Sequence, residues 1–253
     1  MLLALDVGNT NITAGVFNGK KIVRRWRHET TTGLSAKKLA SEFRRRARGL
    51  RIASAVYGSV VPRVDAALER AVRSAFGCRV RVVSPKLELG IKMTIKGRRE
   101  VGADLVLNAL AGHEKAGGAC VIVDFGTATT VQGVSSGGRF LGGAIVPGPG
   151  TSAWALSEKT ALLPLAKIEK PSRAIGRDTA ECLRSGIYYG SLGMIEKLLA
   201  MFKKEMKAPK ATVFATGGLS GLFRKDLPKG ARWEPDLTLE GLRIAHERME
   251  ALS

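Results

Sequence analysis

Two stretches of the chain set an aspartate, a glycine and a knot of small hydroxyl residues in the same order. The first reads Leu2-Leu-Ala-Leu-Asp6-Val-Gly8-Asn-Thr10-Asn-Ile-Thr-Ala-Gly15, the second Cys120-Val-Ile-Val-Asp124-Phe-Gly126-Thr-Ala-Thr-Thr-Val-Gln-Gly133. In each, another glycine stands nine positions after the aspartate. An apolar run ending in Asp sets a carboxylate at the rim of a buried strand, where it can hold a hydrated divalent cation. The nearby glycine lets the backbone turn tightly towards a ligand. The Asn/Thr cluster supplies hydroxyls and N–H groups for phosphate oxygens. This is anion-binding chemistry, present twice, and it leads us to expect two related domains clamping one phosphate chain between their turns.

The elements that must position these turns follow from hydrophobic periodicity. Leu2–Val7, Ile12–Phe17 and Lys21–His28 read as three strands, with Asn18-Gly19 as a hairpin turn. A helix over 35–48 is capped by Ser35 and buries Leu39 and Phe43. A strand over 52–60, a helix from Pro62 to Phe76, a strand over 79–83 and a helix over 100–115 complete the first half. Residues 85–99 read as irregular and basic. The second half repeats the order, with strands over 119–124, 129–134 and 139–146. A long helix over 178–206 carries Leu183, Ile187, Met194, Leu198 and Phe202 on one face, and its Gly186, Gly190 and Gly193 allow close helix contact. A strand over 211–216 runs into Thr216-Gly-Gly218, and a helix over 239–252 closes the chain. The expected domains are 1–116 and 117–253, with the ligand in a cleft between them.

Composition narrows the class. The 45% hydrophobic and 25% charged content is that of a soluble globular protein. No apolar run approaches the ~20 residues a membrane span needs, and the first apolar run breaks at Asp6, so a cytoplasmic location is expected. Cys78, Cys120 and Cys182 read as buried free thiols. Forty-one Lys and Arg against 22 Asp and Glu give a net charge of +19, and residues 20–51 alone hold twelve basic and two acidic side chains. Such a field draws in anions, nucleotide or nucleic acid alike. No aromatic residues interleave as a single-strand platform requires, so a solvated helix face is favoured over a nucleic-acid groove.

These motifs resemble the sugar kinase, Hsp70 and actin superfamily, and within it the type III pantothenate kinase family. The matching segments are Asp6-Val-Gly-Asn-Thr-Asn11, Ser59-Val-Val-Pro62, Glu100-Val-Gly-Ala-Asp104, Asp124-Phe-Gly-Thr-Ala-Thr-Thr130, Ser185-Gly-Ile-Tyr-Tyr-Gly190, Ala215-Thr-Gly-Gly218 and Asp236-Leu-Thr-Leu-Glu-Gly241. The resemblance implies an α/β fold of two ribonuclease H-like, actin-like ATPase domains. It also implies ATP-dependent phosphorylation of the pantothenate hydroxyl, the first step of coenzyme A biosynthesis, by a homodimer using Mg2+ and a monovalent cation (K+ or NH4+). By the same resemblance, Asp6, Val7, Gly8, Asn9, Thr10, Asn11, Ile12 and Thr13 bind the ATP phosphates, and Asp6 positions the magnesium. Asp124 meets the monovalent cation, Thr127 a phosphate, and Gly217 and Gly218 pass close to the nucleotide. Gly102, Ala103 and Asp104 line the acceptor site, Asp104 is the general base, and Thr179 touches the acceptor.

The departures from the family pattern cluster on the acceptor side. Leu105 stands where the family has an Arg facing the acceptor carboxylate, Ile95 where it has Tyr, and Gly97-Arg98 where it has Asn-Pro. Gln132 stands where Asp is common. Losing a charge-assisted contact to a buried carboxylate costs about 2–4 kcal/mol. Arg98 either supplies the missing cation or stands as a solvated surface residue. Two other readings stay open: a kinase of the same fold for a different small hydroxyl compound, and a non-catalytic nucleotide-binding regulator that contacts nucleic acid.

Overall fold

The computed structural model describes residues 1–31, 33–84, 87, 89–95 and 101–252. They form two compact units. Unit 1 comprises Met1–Ile91, Lys96–Ala111 and Leu237–Ser253, and unit 2 comprises Lys92–Ile95 and Gly112–Asp236.

Unit 1 starts with β1 (Leu2–Val7), β2 (Asn11–Asn18) and β3 (Lys21–Glu29), followed by α1 (Ala36–Arg46), β4 (Ser54–Ser59), α2 (Pro62–Phe76) and β5 (Arg79–Val82). Its sheet has the order β3-β2-β1-β4-β5, with β2 antiparallel to both neighbours and β4 parallel to β1. Strand alternation sends Leu3, Leu5 and Val7 to one face, where they join Trp26, Leu39, Phe43, Leu68 and Val72 beneath α1 and α2. Phe43 meets Trp26 edge-on at 6.1 Å and stacks near Phe76 at 6.5 Å. The same alternation leaves Asp6 on the opposite face. α2 has Pro62 at its first turn and ends at Gly77, whose φ of 64° provides the left-handed cap.

Unit 2 begins with the short β6 (Lys92–Met93), and α3 (Ala103–Ala116) crosses the division between the units. Then come β7 (Cys120–Phe125), β8 (Ala128–Val134), β9 (Arg139–Pro147), α4 (Pro149–Lys159), α5 (Thr179–Glu205), β10 (Thr212–Thr216), α6 (Ser220–Phe223) and β11 (Arg232–Trp233). The sheet order is β11-β10-β7-β8-β9-β6. Apart from the added edge strand β6, this repeats the unit 1 pattern: a central strand flanked by an antiparallel hairpin partner and a parallel crossover strand. Its core stacks Phe125, Phe223 and Tyr188 with centroid separations of 4.7 and 5.0 Å. The closing helix α7 (Leu237–Ala251) returns to unit 1.

Several local expectations change. The irregular stretch contains β6, which pairs in parallel with β9 through Lys92–Arg139 and Met93–Phe140. On α5 the buried stripe is Tyr188, Leu192, Ile195 and Leu199, while Met194, Leu198 and Phe202 flank it half-buried and Ile187 packs with Ala153 and Ala166. A Cβ built on Gly186, Gly190 or Gly193 would meet nothing within 4 Å, so these glycines bring no close helix contact among the described residues. Of the three thiols only Cys120 is buried, its pKa pushed up to about 12 by burial; Cys78 is half-buried and Cys182 exposed. Cys182 lies in the first turn of α5 and lines an open hollow with Thr179, Leu183 and Gly186 rather than a core. Among the described residues no helix is long and apolar enough to cross a membrane.

Candidate active site

The turn after β1 is closed by the Gly8 N–H, which donates to the Asn11 carbonyl at 3.0 Å. A side chain at Gly8 would press on that same oxygen at 3.2 Å. The Thr30 hydroxyl donates to the Gly8 carbonyl at 2.8 Å, and the Thr30 N–H to the Thr10 carbonyl at 2.9 Å, so the end of β3 braces the loop. Val7 and Ile12 are buried anchors, Asp6, Gly8 and Thr13 are half-buried, and Asn9, Thr10 and Asn11 are exposed at the tip. This is the layout an anion-binding turn requires, with fixed ends and polar groups facing out.

In unit 1, Asp6 lies in register with Gly58 of β4, so the two share a face of the sheet. Gly58 lets α3 settle there: a Cβ on it would lie 3.4 Å from the Ala103 Cβ and 2.7 Å from the Leu107 side chain. One strand spacing, one packing contact and one peptide step therefore separate Asp6 from Asp104, within about 15 Å between their Cα atoms. Asp104 is in the first turn of α3, where its Oδ1 accepts the Leu105 N–H at 2.9 Å. Burial pushes its pKa up, opposed by the hydrogen bonds from the Leu105 and Asp104 backbone N–H groups. A side chain at Gly102 would push the Asp104 carboxylate aside, because its Cβ would collide with Asp104 Oδ1 and crowd Val60 at 3.1 Å. The sequence reading did not single out Gly58; the signal was a lone glycine in an apolar strand, which marks close approach of another backbone.

α7 packs beside α3 on the same sheet face, its Leu242 meeting Gly58 alongside Leu107. The Thr238 hydroxyl donates to Asn108 Oδ1 at 2.8 Å, and Asn108 is fully buried. At Gly241 a Cβ would strike the backbone of Leu107, so the two helices meet main chain to main chain. The segment Asp236–Gly241 thus has a local purpose, which is to seat the helix that carries Asp104.

In unit 2 the corresponding turn is closed by the Gly126 N–H to the Ala128 carbonyl at 3.2 Å. The Thr127 carbonyl accepts the Gly148 N–H at 3.0 Å and the Thr151 hydroxyl at 2.6 Å. Thr127 is exposed and Asp124 half-buried. Gly217, with φ 92°, passes directly over Asp124: a Cβ there would collide with Asp124 Oδ1 and sit 2.6 Å from the Phe125 nitrogen. Gly218 follows, exposed, and the Leu219 N–H donates to the Phe125 carbonyl at 3.1 Å. Gly217 thus packs its main chain directly on the Asp124 carboxylate and the Phe125 backbone, where a side chain would not fit. Gln132 is buried on the same strand face as Thr130, and its amide nitrogen donates to the Thr130 hydroxyl at 3.3 Å while its Oε1 has no hydrogen-bond partner among the described residues.

The acceptor-side residues divide between the units. Gly102, Ala103, Asp104 and the half-buried Leu105 belong to unit 1. Ile95, half-buried, packs 3.5 Å from the Cβ position of Gly142, and Thr179 opens α5 on the exposed surface; both belong to unit 2. Arg98 lies outside the described residues. No cluster of three or more His, Cys, Asp or Glu forms a metal cage among the described residues. A cation held by one carboxylate, water and substrate phosphates needs no such cage, and Asp6 beside its hydrogen-bonded turn fits that mode of binding.

A duplicated sheet with an aspartate at the end of each central strand, each followed by a glycine-hydroxyl turn, defines the two-domain, actin-like class of ATP-using proteins. Among solved structures, a protein described as a Baf family transcriptional activator from Campylobacter jejuni shares the fold, with TM-score 0.62, 15% identity, and 98% of this chain and 99% of that chain covered. The model of the type III pantothenate kinase family matches residues 2–201. The chain is 40% identical over 253 residues to the type III pantothenate kinase of Moorella thermoacetica, covering 98% of this chain and 99% of the relative. It is 42% identical over 254 residues to that of Geobacter sulfurreducens, again with 98% and 99% covered. The chain belongs to the type III pantothenate kinase family.

Proposed function

We propose that the protein transfers the terminal phosphate of ATP to the hydroxyl of pantothenate, feeding coenzyme A synthesis, with Asp104 as the general base. The observation that carries this reading is the seating of α3 on Gly58, which sets a partly desolvated carboxylate on the same sheet face as Asp6. The turn from Asp6 to Thr13 binds the phosphates, Asp6 through a divalent cation and the turn through its amides and hydroxyls. Bound there, the cation supplies neutralisation of phosphate charge. Asp124 binds a monovalent cation, Thr127 a phosphate oxygen, and Gly217 and Gly218 leave space for the nucleotide. Phosphoryl transfer rests on positioning and charge neutralisation, so a single base that accepts the acceptor's proton suffices. Gly102, Ala103, Leu105, Ile95, Thr179 and Arg98 shape the acceptor side.

The test is ATP turnover with and without pantothenate. Pantothenate-dependent ADP release supports the reading; turnover only with another hydroxyl compound assigns a different acceptor, which Leu105 and Ile95 favour. A homodimer is part of the proposal. Trp154, Leu162, Leu165 and Ile175, 54–90% exposed, stand on unit 2 with a 470 Å³ hollow lined by Thr179, Leu183, Gly186 and Gly190. Light scattering on the eluted protein gives the mass directly.

Nucleic-acid binding is the weaker reading, because several of the basic residues have work inside the fold. Arg24 donates to the carbonyls of Arg46 and Arg48, Arg44 to that of Ser74, and Arg46 pairs with Glu42. Arg24 thereby satisfies carbonyls at the end of α1, where the helix dipole favours a cation.

A further inference from the structure

Unit 2 contains a second concavity away from its glycine turns. It encloses about 530 Å³ and is lined by the end of α5, the start of β10 and the turn before β11. Its floor is apolar: Leu199, Ala211 and Val213 are 5–6% exposed. Its rim is cationic. Lys203, Lys210, Lys229 and Arg232 surround it with Glu196 as the one acidic side chain. No ion pair engages Lys203, Lys210 or Lys229 among the described residues. The Arg232 guanidinium lies 5.9 Å from the centre of the Phe214 ring, which keeps it near the rim.

Helix-end electrostatics account for one of these charges only. Lys203 falls in the last turn of α5, where the dipole favours a cation. Lys210 comes from the loop before β10, and Lys229 and Arg232 from the one turn into β11; gathering them round one hollow raises mutual repulsion that an anion would relieve. The volume lies within the usual range for small-molecule sites, about 300–1,000 Å³. No aromatic ring lines the hollow among the described residues, so a nucleic-acid strand with stacked bases is a poor match. Thr212 opens β10 on this hollow while Thr216 ends it at the Gly217–Gly218 turn. Four residue steps put the two ends about 13 Å apart, so the hollow is distinct from the Gly217–Gly218 turn over Asp124.

We propose that this hollow is a second anion site, which binds a compact ligand carrying two or more phosphate groups on Lys203, Lys210 and Lys229. Inorganic polyphosphate and a phosphorylated nucleoside share that chemistry. The probes are inorganic tripolyphosphate and adenosine 3′,5′-bisphosphate, titrated calorimetrically into the full-length protein with a non-hydrolysable ATP analogue and magnesium held at saturation. One additional equivalent per chain is expected. The triple variant Lys203→Gln, Lys210→Gln, Lys229→Gln should weaken it at least tenfold and leave the ATP KM unchanged. These side chains reach solvent, so the variant should fold, and an unchanged Tm verifies that. Tighter binding of the bisphosphate names a nucleotide as the ligand, because the apolar floor then contributes; tighter binding of tripolyphosphate names the inorganic chain. Absence of an additional equivalent, or equal affinity in wild type and variant, overturns the proposal.

Discussion

Asp104→Asn separates a catalytic carboxylate from a structural one. The substitution preserves size and leaves an amide oxygen to accept the Leu105 N–H, now made at 2.9 Å. It also removes a charge that burial disfavours. That hydrogen bond therefore survives, and stability should change by no more than about 1 kcal/mol. ATP binding should persist, because the turn from Gly8 to Asn11 is closed by its own backbone. Transfer should slow by roughly 10²–10⁴-fold, about 3–5 kcal/mol in the barrier. The pH dependence gives a second readout. A base must be ionised to accept the proton, and burial holds the Asp104 pKa above the ordinary Asp value of 3.8. Wild-type turnover should fall as pH drops through that raised pKa, and the variant should lose this limb. Linkage runs the other way for folding: between the unfolded and the raised folded pKa the native state holds more protons, so stability declines as pH rises through that window. The assay is coupled detection of ADP release across pH, with ATP affinity measured separately. Near-normal turnover in the variant, or an unchanged acidic limb, would refute the assignment of Asp104 as the base.

Gly217→Ala forces a side chain into φ 92° and against Asp124 and Phe125, so it should cost about 2–3 kcal/mol of stability and raise the ATP KM about tenfold or more, read by melting and steady-state kinetics. Leu105→Arg restores the family's usual cation; if pantothenate is the acceptor and no other residue grips its carboxylate, its KM should fall at least tenfold, whereas no change would show that the carboxylate is already held. With a net charge of +19, duplex DNA should bind weakly, without sequence preference, and lose affinity steeply with salt in a filter or fluorescence assay. A sequence-specific complex that survives physiological salt would favour the regulator reading.

Much of this was legible in the chain itself. Alternating and helical periodicities are local properties, so β1 to β5 and the helices burying Leu39, Phe43, Val64 and Leu68 could be read from spacing alone. The repeated Asp-x-Gly turns announced the duplicated sheet for the same reason, since each strand-turn-strand unit is contiguous. Packing between distant segments could not be read that way. Nothing in the spacing of Leu237–Ala251 says that it lies on unit 1, seats Gly241 on Leu107 and bonds Thr238 to Asn108. Nor does it say that Gly58, some 45 positions before Ala103, opens the space into which α3 settles beside Asp6. The exposure of Cys182 and the shifted stripe on α5 belong to the same group, because a long helix with apolar residues all round offers several faces. Sequence fixes which residue types recur and with what local period; which of two apolar faces is covered, and by what, depends on close packing among segments that meet only in the folded chain.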